Sequence, residues 1–137
     1  MNTNHLDLSS LMNALDRLIE GNDRYLKCIE DEQIRDGLIQ RYEFTYEISH
    51  KILKRYMEMS SANPEIYDSM QFSELIRSAN EMSLLKSDWS HWKIFREMRS
   101  KSSHTYDEKI AIEVVSIIPD FIDEATFLLS SLKLKNA

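Results

Sequence analysis

"DEKIAIEVVSIIPDFIDEATFLLSSL", residues 107–132, steps its apolar side chains by three and four throughout: Ala111, Val114, Ile118, Phe121, Ala125, Leu128 and Leu132. That spacing lines one face of an α-helix. Pro119 falls inside the run. A proline has no backbone N–H, and its ring displaces the hydrogen bond to the carbonyl four residues back, here that of Val115, so the expectation is one long helix bent at Pro119. Its stripe is continuous, and so must be buried against other helices.

Working outward, the same period recurs upstream. Leu8, Leu11, Leu15, Leu18, Asn22, Tyr25 and Ile29 form the stripe of a first helix. Ile34, Leu38, Tyr42, Thr45, Ile52 and Tyr56 form that of a second, over about 31–59, with Phe44 and Ile48 widening its apolar face. Ser60 to Pro64 ends it. A shorter helix is expected over about 71–82, and Ser87 or Asp88 is placed to cap a fourth bearing Trp89, Trp92, Phe95 and Met98. Two glycines and two prolines in 137 residues leave few sites for tight turns. The fold class expected is therefore all-α: an antiparallel, up-and-down bundle of four long helices plus one short helix, in a single domain over 1–137.

Several function classes lose support at this stage. The one cysteine, Cys28, cannot form an intramolecular disulfide and reads as a small residue on a helix. A secretion leader or a run of membrane-spanning length is missing from the expected pattern, so a cytoplasmic protein is expected. His5, His50, His91 and His104 are scattered without metal-ligand spacing, and no metal or cofactor is expected. Of these, His5 belongs to a terminus, and His50 and His91 read as exposed helix residues. With no glycine-rich loop to cradle phosphates, any ATP would have to be bound by a partner. The cluster Tyr42, Phe44 and Tyr46 is expected in the core or at a dimer interface rather than as a base-stacking platform.

The net charge of −6, from 17 basic and 23 acidic residues, argues against indiscriminate nucleic-acid binding. Arg41, Lys51, Lys54 and Arg55 on the second helix, and Lys93, Arg96, Arg99 and Lys101 on the fourth, would nevertheless make a local basic face if those helices pack together. Solvated helix surfaces with ordinary pairs such as Glu97 with Lys101 are the alternative, and charge alone favours it.

"RSKSSHTYDEK", residues 99–109, joins the fourth helix to the last. On an uninterrupted helix Arg99 and His104 would lie about 140° apart and Arg99 and Tyr106 would nearly coincide. Three serines and a threonine favour a break between residues 100 and 105, which then decides what meets. Spacing alone favours a polar turn in which His104 bonds a nearby carbonyl and Tyr106 packs by its ring.

The stretches "IRDGLIQRYEFTYEISHKILKRYME" (34–58) and "DWSHWKIFREMRSKSSHTYDEK" (88–109) resemble the nucleotidyltransferase substrate-binding proteins, a branch of the HEPN helical domains. The most specific parts are "QRYEFTYE" (40–47) and a tryptophan upstream of R-x4-H-T-Y-D-E, and the resemblance runs over nearly the whole chain. It implies a HEPN-like bundle that forms a homodimer and binds a small nucleotidyltransferase subunit. For part of the family it also implies a toxin–antitoxin pair, in which an RNase is silenced by transfer of AMP to the motif tyrosine. Carried onto this chain, Arg99, His104 and Tyr106 occupy the motif, and Ser100 stands where the family usually has asparagine.

These residue types suit metal-independent RNA cleavage. Histidine titrates near neutrality and can move the 2′-hydroxyl proton or protonate the leaving oxygen. A guanidinium can hold the charge that builds on phosphorus by two hydrogen bonds. His104 and Arg99 are thus the candidate catalytic residues, Tyr106 the candidate modification site, and Arg96, Ser100 and Lys101 candidate substrate-binding residues. One junction offers only one histidine, so the chemistry favours pairing two junctions across a dimer two-fold. The alternative is a non-catalytic subunit that presents a substrate to the transferase.

Overall fold

Asp31, Asp88 and Asp107 each turn a carboxylate back onto the free N–H groups of a helix start. The Asp31 carboxylate accepts from the amides of Gln33 (2.9 Å) and Ile34 (3.1 Å), that of Asp88 from Ser90 (3.0 Å), and that of Asp107 from Lys109 (2.9 Å) and Ile110 (3.4 Å). The Ser90 hydroxyl and amide together hold the Asp88 carboxyl below its ordinary range. These caps fix three boundaries in a computed structural model that describes residues 6–136, with side chains through residue 135. His5 lies outside the described residues.

The helices are α1 (Ser9–Lys27), α2 (Glu32–Met59), α3 (Phe72–Glu81), α4 (Trp89–Lys101), α5 (Glu108–Ser116) and α6 (Ile118–Asn136). Short 3₁₀ turns occupy Pro64–Tyr67 and Ser102–His104. No strand occurs among the described residues, so the chain is an all-α bundle. α1 and α2 form a long hairpin; α6 packs on both, and α4 lies across α2 and α5.

The expected bent last helix is instead two helices. At Ile117 the helical ladder is interrupted, its N–H turning to the carbonyls of Val114 (3.3 Å) and Val115, and the ladder restarts with Phe121 N–H to Ile117 O at 3.0 Å. The proline therefore breaks rather than bends, because Val115 loses its donor within a turn that tightens around the gap. Register survives the break. All seven residues of the stripe, from Ala111 to Leu132, are fully buried.

One other boundary differs from the sequence expectation. α1 stops at Lys27, leaving Cys28 exposed in the turn and Ile29 exposed beyond it. Phe44 is also exposed, whereas Tyr42 and Tyr46 enter the core. Two hydroxyls buried on α2 are satisfied locally: that of Ser49 donates to Thr45 O (2.7 Å), and that of Thr45 to Arg41 O (2.8 Å).

At the centre of the core, Phe121 meets Tyr42 (5.1 Å between centroids), Phe95 (5.2 Å) and Trp92 (6.0 Å) edge to face. The buried Tyr42 hydroxyl donates to Phe95 O at 2.6 Å, fastening α2 to α4. Burial also drives the Tyr42 hydroxyl far above its ordinary pKa, so it remains a donor at every physiological pH. Phe121→Ala should therefore cost about 3–5 kcal/mol of stability, whereas Phe127→Ala on the exposed side of α6 should stay within about 1 kcal/mol. Denaturant unfolding followed by circular dichroism reads both.

Candidate functional site

Three serines and the Asp107 cap decide the shape of the junction. After Lys101 the chain tightens into the 3₁₀ turn Ser102–His104, with the Ser102 hydroxyl 2.6 Å from Arg99 O and that of Ser103 donating to Ser100 O at 3.0 Å. The amide of Asp107 then bonds His104 O (3.1 Å) before Asp107 opens α5. The break falls inside the expected window, and it sorts the three motif residues into two groups.

His104 and Tyr106 meet each other. The His104 Nδ1 lies 3.3 Å from the Tyr106 hydroxyl, with the rings edge to face at 5.9 Å. Both are exposed, Tyr106 at 87%. The tyrosine is thus not packed by its ring, as a purely structural turn would have it.

Arg99 turns the other way, toward α2. Its Nε (3.0 Å) and Nη2 (2.6 Å) donate to one oxygen of Glu47, and its Nη1 donates to Glu43 (3.2 Å) and lies 3.3 Å from the Ser102 hydroxyl. Ser102 is buried, with its hydroxyl 2.6 Å from the same Glu43 oxygen. A hydroxyl has one proton, so it serves either the carboxylate or the Arg99 carbonyl at a given moment. Sequence reading missed Glu43, Glu47 and Ser102. The available signal was the i,i+4 spacing of the two glutamates within "QRYEFTYE", which puts both on the face of α2 beside the buried Tyr42 and Tyr46.

The other candidates are dispersed. The Arg96 guanidinium stacks over the Phe72 ring at 5.6 Å. Lys101 pairs with Glu113 of α5 at 2.9 Å rather than with Glu97, and Ser100 is exposed with its carbonyl used by Ser103. The expected basic face is accordingly interrupted by acids. α2 and α4 do pack together, but Arg41 crosses to α1, donating to Arg17 O at 2.8 Å near Glu20, and Arg99 is covered by two carboxylates. Gly21 makes that crossing feasible, since a Cβ there would sit 3.1 Å from the Arg41 side chain. An open groove of about 420 Å³ runs beside Arg99, lined by Glu43, Phe44, Glu47, Ile48 and Lys51. Phe44 and Ile48 also border a groove of about 450 Å³ on the α1 side.

His50 is half-buried, not exposed as expected; its ring stands edge-on to Phe72 at 4.6 Å. His91 is exposed beside Ser90, as expected. Among the described residues no group of three His, Cys, Asp or Glu could hold a metal ion, and no helix is long and apolar enough to cross a membrane. Burial pushes the Tyr46 hydroxyl up to about 12. Burial, reinforced by Lys54 and Arg96 against an opposing Glu47, lowers the His50 pKa below 6.5. The unfolded chain therefore takes up this proton at a higher pH than the folded one, and stability falls as pH drops from about 6.5 through the folded value. Urea unfolding at pH 7.5 and 5.5 should show a smaller acid loss for His50→Gln than for the wild type.

Comparison with known proteins gives a consistent result. Residues 6–134 match the family model described as nucleotidyltransferase substrate binding protein like. The chain is 34% identical over 140 residues to the probable ribonuclease HepT of Haemophilus influenzae, covering 99% of this chain and 94% of that protein. A solved Haemophilus influenzae structure superposes with a TM-score of 0.87 at 31% identity, over 93% of this chain and 99% of that one. That structure is described as revealing the fold of a substrate binding domain of a nucleotidyltransferase.

Proposed function

Since the chain belongs to the nucleotidyltransferase substrate binding protein-like family, we propose that it is the ribonuclease toxin of a toxin–antitoxin pair, silenced when a small nucleotidyltransferase adds AMP to Tyr106. The observation that carries this reading is the solvent-facing pair His104 and Tyr106, 3.3 Å apart at the end of the turn that begins beside Arg99. The name of the 34% identical relative supports the ribonuclease part.

In the cleavage step, the RNA 2′-oxygen attacks the adjacent phosphorus, the P–O5′ bond breaks, and a 2′,3′-cyclic phosphate forms. His104 removes the 2′ proton or protonates the departing 5′-oxygen. The His104 of a second copy takes the other role, so the active form is a homodimer. The exposed Phe44 and the adjoining Ile48 offer an apolar patch next to Arg99 for such pairing. Arg99 receives the charge on the phosphorane oxygens, with Arg96, Ser100 and Lys101 along the path of the RNA. RNA and ATP are both cytoplasmic, and the reaction belongs there.

In the silencing step, the Tyr106 oxygen attacks the α-phosphorus of ATP held by the transferase, and pyrophosphate leaves. The phenolic proton passes to a base of the partner. A nucleotide on Tyr106 sets bulk and negative charge against His104, and RNA is excluded by both. The exposure of Tyr106 suits this step, because a partner's active site must enclose it.

A second reading is a non-catalytic subunit that presents a substrate to the transferase. The pairing of Arg99 with two carboxylates favours it, as does Ser100 at the position where the resembled family usually has asparagine. Intact mass after co-expression with the nucleotidyltransferase separates the two. Gain of one or more AMP units, absent from Tyr106→Phe, supports silencing by modification; unchanged mass with co-purification supports the presenting subunit. Expressed alone, the wild type should arrest growth and His104→Ala should not. Unimpaired growth with the wild type would sink the toxin reading.

A further inference from the structure

Phosphate recognition at this junction would rest on Arg99, and the fold does not leave its guanidinium open. Two carboxylates share the Arg99 cation, so although Lys51 also lines the groove, the guanidinium that would meet a phosphodiester is already neutralised. The two acids are not equivalent. Glu43 has 26% of its side chain exposed and receives Arg99 Nη1 while in contact with the buried Ser102 hydroxyl. Glu47 is 48% exposed and takes Nε and Nη2 on a single oxygen at the groove rim.

An exposed ion pair is held by little net free energy, whereas the Glu43 contact is braced by a buried hydroxyl. Nε and Nη2 also form the guanidinium edge that best matches two oxygens of a phosphate.

We infer that Glu47 is a gate residue for RNA: the phosphodiester displaces its carboxylate from the Nε and Nη2 edge of Arg99, while Glu43 keeps Nη1 and so preserves the aim of the side chain. This deepens the ribonuclease reading above and takes RNA as the ligand from it. Glu47 then sets affinity through competition, and Glu43 is a positioning residue.

The test is fluorescence anisotropy with a 2′-O-methyl oligonucleotide, which cannot be cleaved through a 2′-hydroxyl. Glu47→Gln keeps the shape of the side chain and removes its charge, and should tighten binding about three- to fivefold. Glu58→Gln makes the same change in net charge about 16 Å further along α2, beyond the Debye length of about 8 Å, and should leave affinity unchanged. In an Arg99→Ala background the Glu47→Gln gain should vanish. No tightening, equal tightening by Glu58→Gln, or a gain that persists without Arg99 each overturns the gate. Cleavage of the unmodified RNA is read separately: if wild type never cuts while Glu47→Gln still tightens binding through Arg99, the ribonuclease reading fails and the gate stands.

Discussion

The meeting of Phe121 with Tyr42, Trp92 and Phe95 organises the rest of the molecule. One ring on α6 touches α2 and α4 at once, and the Tyr42 hydroxyl closes the triangle through Phe95 O. Edge-to-face contacts are directional, so this cluster sets how far α4 advances along α2 as well as how closely it packs. That advance is what delivers Arg99, one turn beyond Phe95, to Glu43 and Glu47. The polar site is thus aligned by an apolar one.

Much of this was legible in the sequence. The stripe from Ala111 to Leu132 predicted seven fully buried side chains, because burial follows a period that a one-residue break does not shift. Helix starts were legible near residues 31 and 107, and Ser87 and Asp88 stood as alternatives for a third; the structure makes carboxylates the cap at all three, with Asp88 taking the place left open. What escaped was long-range pairing. Nothing local to "RSKSSHTYDEK" tells that Arg99 meets residues 52 and 56 positions earlier, since that contact depends on the packing of α4 on α2. Phe44 was assigned to the apolar face of α2, but the helix lies against its neighbours along only part of its circumference, and Phe44 is left outside.

The site is correspondingly divided. Its histidine and tyrosine face solvent at the end of a short turn, and its arginine is folded into a network with one buried hydroxyl and two acids. Groups that protrude are open to a docking molecule, whereas a group held by its neighbours keeps a fixed orientation. The same sequence of three serines serves both demands by ending α4 between them.

The break at Ile117 has a mechanical side. Between it and the Asp107 cap, α5 is a nine-residue rod, about 14 Å long. It ends at the break beside Pro119, and Tyr106 lies just past its other end. Lys101 pairs with Glu113 partway along the rod, an exposed contact between α4 and α5. The separation between the Tyr106 hydroxyl and Arg99 therefore depends on a length of helix whose far end is set at a different junction from the residues beside it.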